Sequence, residues 1–142
     1  MHCRLLPAHT TPITCPMIEY RVRAGVSGFP SPAQDYATDR LDLNAHVVRR
    51  PASTFYLSVE GDSMTGARIQ PGDILVVDRA LTARHGHIVV AVVDGEMTVK
   101  TLRLTDALPG LYSENRDYAP IPLINRDIQI WGVVTFVIHE AA

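Results

Sequence analysis

The sequence predicts a mainly β domain of short strands preceded by an extended N-terminal arm. Three features carry that expectation. Apolar, β-branched runs of strand length recur from Pro51 onward, an Asp94-Gly95 pair separates two of them, and five prolines fall within residues 1–34. Strand-length runs broken by glycine- and proline-containing turns are the pattern of a mainly β domain.

In chain order, residues 1–34 read as the arm. Pro7, Pro12, Pro16, Pro30 and Pro32, with Gly25 and Gly28, disfavour helices and central strands. The small residues of Ala24-Gly25-Val26-Ser27-Gly28 predict an extended, accessible segment. Residues 35–142 form the expected globular domain. A short helix is predicted around Ser31–Val48, where Leu41, Leu43, Val47 and Val48 alternate with Asp and Asn. Thr54–Val59 reads as a strand, Gly61–Gly72 as a loop or short helix, and Ile74–Asp78 as a compact apolar strand. Ile88–Val93 and Glu96–Leu104 flank Asp94-Gly95, the dipeptide of a type I′ hairpin. The β-branched and aromatic run Ile128–Ile138 closes the domain.

The 142 residues suffice for one domain with a true core. A net charge of −2 gives no electrostatic case for nucleic acid or a membrane surface. No apolar run approaches the ~20 residues that span a bilayer, and the first residues lack the layout of a secretory signal. Cys3 and Cys15 both lie outside the β region and cannot staple it, so a reducing, cytoplasmic setting is expected.

Twelve of the thirteen cationic residues are arginine, and Lys100 is the single lysine. Arginine does not give up its proton in a protein, whereas a buried lysine does. Thr98 and Lys100 are two apart in a predicted strand and share a face. If that face is partly buried, desolvation lowers the amine pKa and makes Lys100 a candidate base, with the Thr98 hydroxyl orienting it. The candidate nucleophile is Ser63, in Glu60-Gly61-Asp62-Ser63-Met64 after a strand. Glycine two residues ahead of it allows close approach of a peptide backbone, and N–H groups at such a turn suit an oxyanion. Taken alone, Gly61-Asp62-Ser63 also fits a serine that caps a helix.

Gly61-Asp62-Ser63-Met64, Pro71-Gly72-Asp73-Ile74-Leu75-Val76-Val77-Asp78, His85-Gly86-His87-Ile88-Val89 and Thr98-Val99-Lys100 occur in one order. That series resembles the LexA/UmuD family of self-cleaving serine peptidases. Phe29-Pro30-Ser31-Pro32, Asp42-Leu43-Asn44 and Trp131-Gly132-Val133-Val134 point to its UmuD branch. The resemblance implies a LexA/signal-peptidase-like β domain of short twisted strands, dimeric, with Ser63 as nucleophile and Lys100 as base. It implies a cut between Ser27 and Gly28, immediately before Phe-Pro-Ser-Pro. Serine there departs from the family's alanine or cysteine but is isosteric with cysteine. Ala24–Gly25 matches the usual dipeptide and lies three residues out of register.

The resemblance further implies a homodimer, stimulation by the RecA filament on single-stranded DNA as co-protease, and delivery of the cut form to the catalytic subunit of an error-prone translesion polymerase in the SOS response. No metal or cofactor is expected. Too few residues precede Gly28 for the helix-turn-helix of the repressor branch, so direct DNA binding is not expected. The alternatives are a Ser-His-Asp hydrolase using His85 or His87, a metal site at those histidines, a membrane-anchored signal peptidase, and a non-enzymatic dimeric regulator of a translesion polymerase with vestigial cleavage. No Gly-x-Ser-x-Gly elbow surrounds Ser63, and His85-Gly86-His87 reads as a turn entering a strand.

Overall fold

The computed structural model describes residues 12–18, 24 and 38–142. The chain divides into two compact units, residues 1–46 and 47–142.

In the first unit, β1 (Cys15–Ile18) and β2 (Thr38–Leu41) pair antiparallel as a two-stranded ribbon, Cys15 opposite Leu41 and Ile18 opposite Thr38. Pro16 is tolerated because a two-stranded ribbon consists only of edges. Arg40 clips the ribbon, its Nε donating to Thr14 Oγ1 and its Nη2 to the Thr14 carbonyl, each at 2.8 Å. Of the helix expected over Ser31–Val48, residues 31–37 lie outside the described residues; among those described it is confined to α1 (Leu43–Val47), and residues 38–41 are strand β2. The cause is local. The Asp42 carboxylate accepts the Ala45 N–H at 3.1 Å, which starts the helix at Asp42 and no earlier.

The second unit is built on one seven-stranded sheet. Its strands are β3 (Thr54–Ser58), β4 (Ile74–Asp78), β5 (Ile88–Val93), β6 (Glu96–Arg103), β7 (Gly110–Tyr112), β8 (Ile121–Pro122) and β9 (Ile128–Ile138). The order is β3-β4-β9-β5-β6-β7-β8, and every neighbouring pair is antiparallel. The last strand in sequence thus lies inside the sheet, between β4 and β5. β9 shifts register against β4 at Val76/Val77 and against β5 at Val90/Ala91, the signature of bulges that bend a long strand.

The central strands β4 and β5 are largely buried, and the buried apolar residues form two clusters. Val59, Met64, Ile69, Leu75, Val77 and Val90 form one cluster, and Val89, Ala91, Val93, Leu102, Leu111 and Val133 form the other. Neighbours Val89 and Val90 serve different clusters because successive strand residues face opposite ways. Two-sided burial explains why Ile74–Asp78 and Ile88–Val93 read as continuous apolar runs, without polar alternation. Asp94 (φ 50°) and Gly95 (φ 87°) both take positive φ between the partners Val93 and Glu96, as a type I′ turn requires.

Candidate active site

The loop that carries Ser63 is pinched shut at its base. Val59 N–H donates to the Asp73 carbonyl and Gly72 N–H to the Val59 carbonyl, each at 2.9 Å. Inside the loop Met64 and Ile69 are 3% and 1% exposed, so two apolar anchors pin it onto the core. Thr65–Ala67 make one 3-10 turn, closed by Arg68 at φ 63°. The capping alternative for Ser63 fails on geometry. The residue at the cap position of that turn is Met64, and no side chain caps it.

Lys100 lies in β6, directly opposite Val89 of β5. Its side chain reaches Ser63 Oγ at 3.0 Å, Thr98 Oγ1 at 3.0 Å and the Val99 carbonyl at 3.1 Å. The expected sharing of one strand face by Thr98 and Lys100 is therefore observed, and the structure brings Ser63 to the same amine. Lys100 is only 7% exposed. Burial lowers its pKa from the ordinary lysine value, because the low-dielectric surroundings penalise the ammonium form. Among the described residues its hydrogen-bond partners are two hydroxyls and a carbonyl, with no acidic side chain. The arrangement can supply a neutral amine beside a half-buried hydroxyl.

Thr98 and Lys100 line an open cleft of about 590 Å³, together with Val93, Met97, Tyr118 and Ile121. Among the described residues β7 pairs with β6 only at Thr101–Arg103, so the β6 edge over residues 96–100 has no second strand partner. An extended peptide could add there as a strand.

The two histidines weighed as alternatives are engaged elsewhere, His85 with the segment that follows β6 and His87 within its own turn. His85 Nδ1 accepts the Leu104 N–H at 2.9 Å, and His87 Nδ1 accepts the Arg84 N–H at 3.1 Å. Among the described residues no group of three or more His, Cys, Asp or Glu side chains is placed to hold a metal ion. No helix among them is long and apolar enough to cross a membrane. Of the expected cleavage residues, Ser27, Gly28 and Gly25 lie outside the described residues, and Ala24 is exposed.

Sequence reasoning missed the residues that contact the nucleophile's loop from residues 114–118. Asn115 Nδ2 donates to the Asp62 carbonyl at 2.9 Å, and Tyr118 Oη donates to Asp62 Oδ1 at 2.6 Å. These pairs are separated by 53 and 56 positions, and no local signal joins them.

Comparison with known proteins agrees with this architecture. Residues 16–135 match the Peptidase S24-like family. Protein ImpA of Salmonella typhimurium is 50% identical over 114 residues, covering 80% of this chain and 78% of its own. Protein SamA of the same species is 45% identical over 127 residues, covering 89% and 86%. The LexA repressor of Shewanella denitrificans is 36% identical over 118 residues, covering 82% of this chain and 57% of the repressor.

Proposed function

This chain belongs to the Peptidase S24-like family, as a UmuD-like member of the LexA/UmuD group of serine peptidases, and we propose that it cleaves its own N-terminal arm with a Ser63–Lys100 dyad. The observation that carries this reading is the 3.0 Å contact between Ser63 Oγ and a lysine that is 7% exposed.

The chemistry follows from the amine's three contacts. A neutral amine has two N–H donors and one lone pair. The donors go to Thr98 Oγ1 and the Val99 carbonyl, which leaves the lone pair for the Ser63 hydroxyl. Lys100 takes the hydroxyl proton as Ser63 Oγ bonds to the carbonyl carbon of Ser27. Backbone N–H groups near Ser63 hold the oxyanion. The tetrahedral intermediate collapses, the Ser27–Gly28 bond breaks, and the Lys100 ammonium gives its proton to the departing amine. Water then attacks the acyl ester, losing a proton to Lys100; the ester bond breaks, Lys100 returns that proton to the departing Ser63 Oγ, and the Ser27 carboxyl is released. Ala24–Gly25 is the second candidate bond.

In this reading residues 1–34 are the arm that contains the cut, of which residues 1–27 are released, and residues 35–142 are the peptidase and dimerisation domain. The protein acts in the cytoplasm as a homodimer. The RecA filament on single-stranded DNA stimulates the cut, and the product serves as accessory subunit of a translesion polymerase. Support for these partners comes from the family resemblance.

The test is incubation of purified protein at neutral and alkaline pH, with and without RecA filaments, followed by weighing of the fragments. The expected product starts at Gly28, and Ser63→Ala yields none. Cutting at the same bond by Ser63→Ala, or no cutting under any condition, overturns the reading. A pre-cut chain starting at Gly28 should restore the biological effect that Ser63→Ala removes.

A further inference from the structure

The chemistry above makes no use of residues 112–118, yet this segment grips the nucleophile's loop on both sides of Ser63. Ahead of Ser63, the Asp62 carbonyl accepts Asn115 Nδ2–H at 2.9 Å, and the Asp62 carboxylate accepts the Tyr118 hydroxyl at 2.6 Å. Behind it, Gly66 N–H donates to the Glu114 carbonyl at 2.7 Å. A Cβ at Gly66 would collide with that carbonyl, so the approach requires glycine. The same segment is tied to the strand of the base. Arg103 of β6 donates to Glu114 Oε1 at 3.1 Å, and its guanidinium lies 4.9 Å from the centroid of the Tyr112 ring.

We propose that Asn115 and Tyr118 are positioning residues, which hold Asp62 so that the adjoining Ser63 hydroxyl stays within reach of the Lys100 amine. This rests on the reading of Ser63 and Lys100 as a dyad and adds a part to it. A loop is less precise than a strand as a carrier of a reacting atom, and a misplacement of about 1 Å can cost on the order of 100-fold in rate. The Lys100 side of the pair is fixed by β6, whereas the Ser63 side is fixed by the loop's anchors.

Two further observations fit the role. Tyr118 also lines the cleft beside Thr98 and Lys100, so the clamp sits next to the place a peptide would occupy. The hydrogen bond to Asp62 and the Asp62 charge raise the Tyr118 pKa above its ordinary 10.0. The phenol therefore keeps its proton, and its role as donor, to higher pH than an ordinary tyrosine does.

The experiment follows self-cleavage of the full chain across a pH series, with thermal melting in parallel. Tyr118→Phe removes only the hydroxyl. It is expected to lower the alkaline plateau rate about tenfold, equivalent to ~1.4 kcal/mol, while the pH midpoint of the rate stays in place. Asp62→Ala should slow cleavage similarly, and Asp62→Asn, which keeps an oxygen acceptor, should restore the rate to within about threefold of the native chain. The double variant Tyr118→Phe/Asp62→Ala should be no slower than the slower single variant, as expected when both remove one interaction. Native plateau rates in Tyr118→Phe, multiplying effects in the double variant, or a moved midpoint overturn the inference. Should Tyr118→Phe fail to fold, the contrast between Asp62→Ala and Asp62→Asn decides. Cutting by Ser63→Ala, or no cutting by the native chain, instead overturns the dyad reading and the clamp with it, so the two failures are distinguishable.

Discussion

Lys100 Nζ lies 3.0 Å from Ser63 Oγ although 37 positions separate the two residues in the chain. One belongs to a sheet strand and the other to a loop, and among the described residues the amine has only hydroxyl and carbonyl oxygens for partners. None of those partners is a carboxylate that would hold its charge, and this decides how it should behave.

Lys100→Arg is expected to abolish self-cleavage even though charge is kept. Arginine cannot accept the serine proton at any working pH. Loss of a general base costs about 10²–10⁴-fold. Lys100→Met should cleave as poorly. Fragment mass after a fixed incubation measures both.

The rate of self-cleavage should climb about tenfold per pH unit and level off below 10.5, because burial holds the Lys100 pKa under that ordinary value. The same shift makes a stability prediction of definite sign. The unfolded chain keeps the proton to higher pH than the folded chain does, so the group's contribution to stability rises with pH between the folded pKa and 10.5. Below the folded pKa the buried ammonium destabilises the fold. Lys100→Met should therefore melt higher than the native chain at neutral pH, with the difference shrinking toward pH 10. A native chain that loses stability steadily from neutral to alkaline pH, relative to Lys100→Met, would falsify this.

Asp78 joins the β3–β4 ladder to what precedes it. Its buried carboxylate accepts Arg50 Nη1, Ser53 Oγ and the Ala80 N–H, each at 2.8 Å. Burial pushes its pKa up, but the hydrogen bonds from Ala80, Ser53 and Arg50 outweigh burial, and the result lies below 3.8. Its stabilising contribution is present above pH 3.8 and is lost as pH falls through the folded pKa. Asp78→Ala should cost about 2–3 kcal/mol at neutral pH by stranding donors. Urea titrations at neutral and acid pH should show the gap between the two proteins closing in acid.

Gly132 sits in β9 where it crosses the other central strands. A Cβ there would stand 2.6 Å from Val77 Cγ1, and Val77 is fully buried in the core. Gly132→Ala should cost about 1–3 kcal/mol through overpacking. Combined with Val77→Ala, the two losses should sum to less than their separate values, since each relieves the other. Denaturant midpoints of the four proteins test it.

Ile74–Asp78, Ile88–Val93 and Ile128–Ile138 have the predicted limits. The first two are largely buried, and apolar β-branched side chains are needed on both faces of a covered strand. The third is mostly part-exposed and was legible from its long β-branched and aromatic run. Asp94-Gly95 was legible because the turn needs two positive φ values and its residues tolerate them. β7 and β8 were not, since three and two residues carry no usable periodicity. The ribbon of β1 and β2 escaped notice for another reason. Its strands are paired across 20 to 26 positions, and Pro16 argued against a strand there.

The sequence by itself determined the residue types on which the site rests: one lysine, a threonine on the same strand face, and a serine after a glycine-bearing turn. Those are local matters of composition and two-residue periodicity. The tertiary structure alone decided that Lys100 is buried, that its amine reaches Ser63, and that Asn115 and Tyr118 hold the neighbouring Asp62. Desolvation and hydrogen bonding between distant residues depend on strand order and register and on the closure of the loop at Val59 and Asp73. They arise only when segments far apart in the chain are packed together, so no local pattern of residues encodes them.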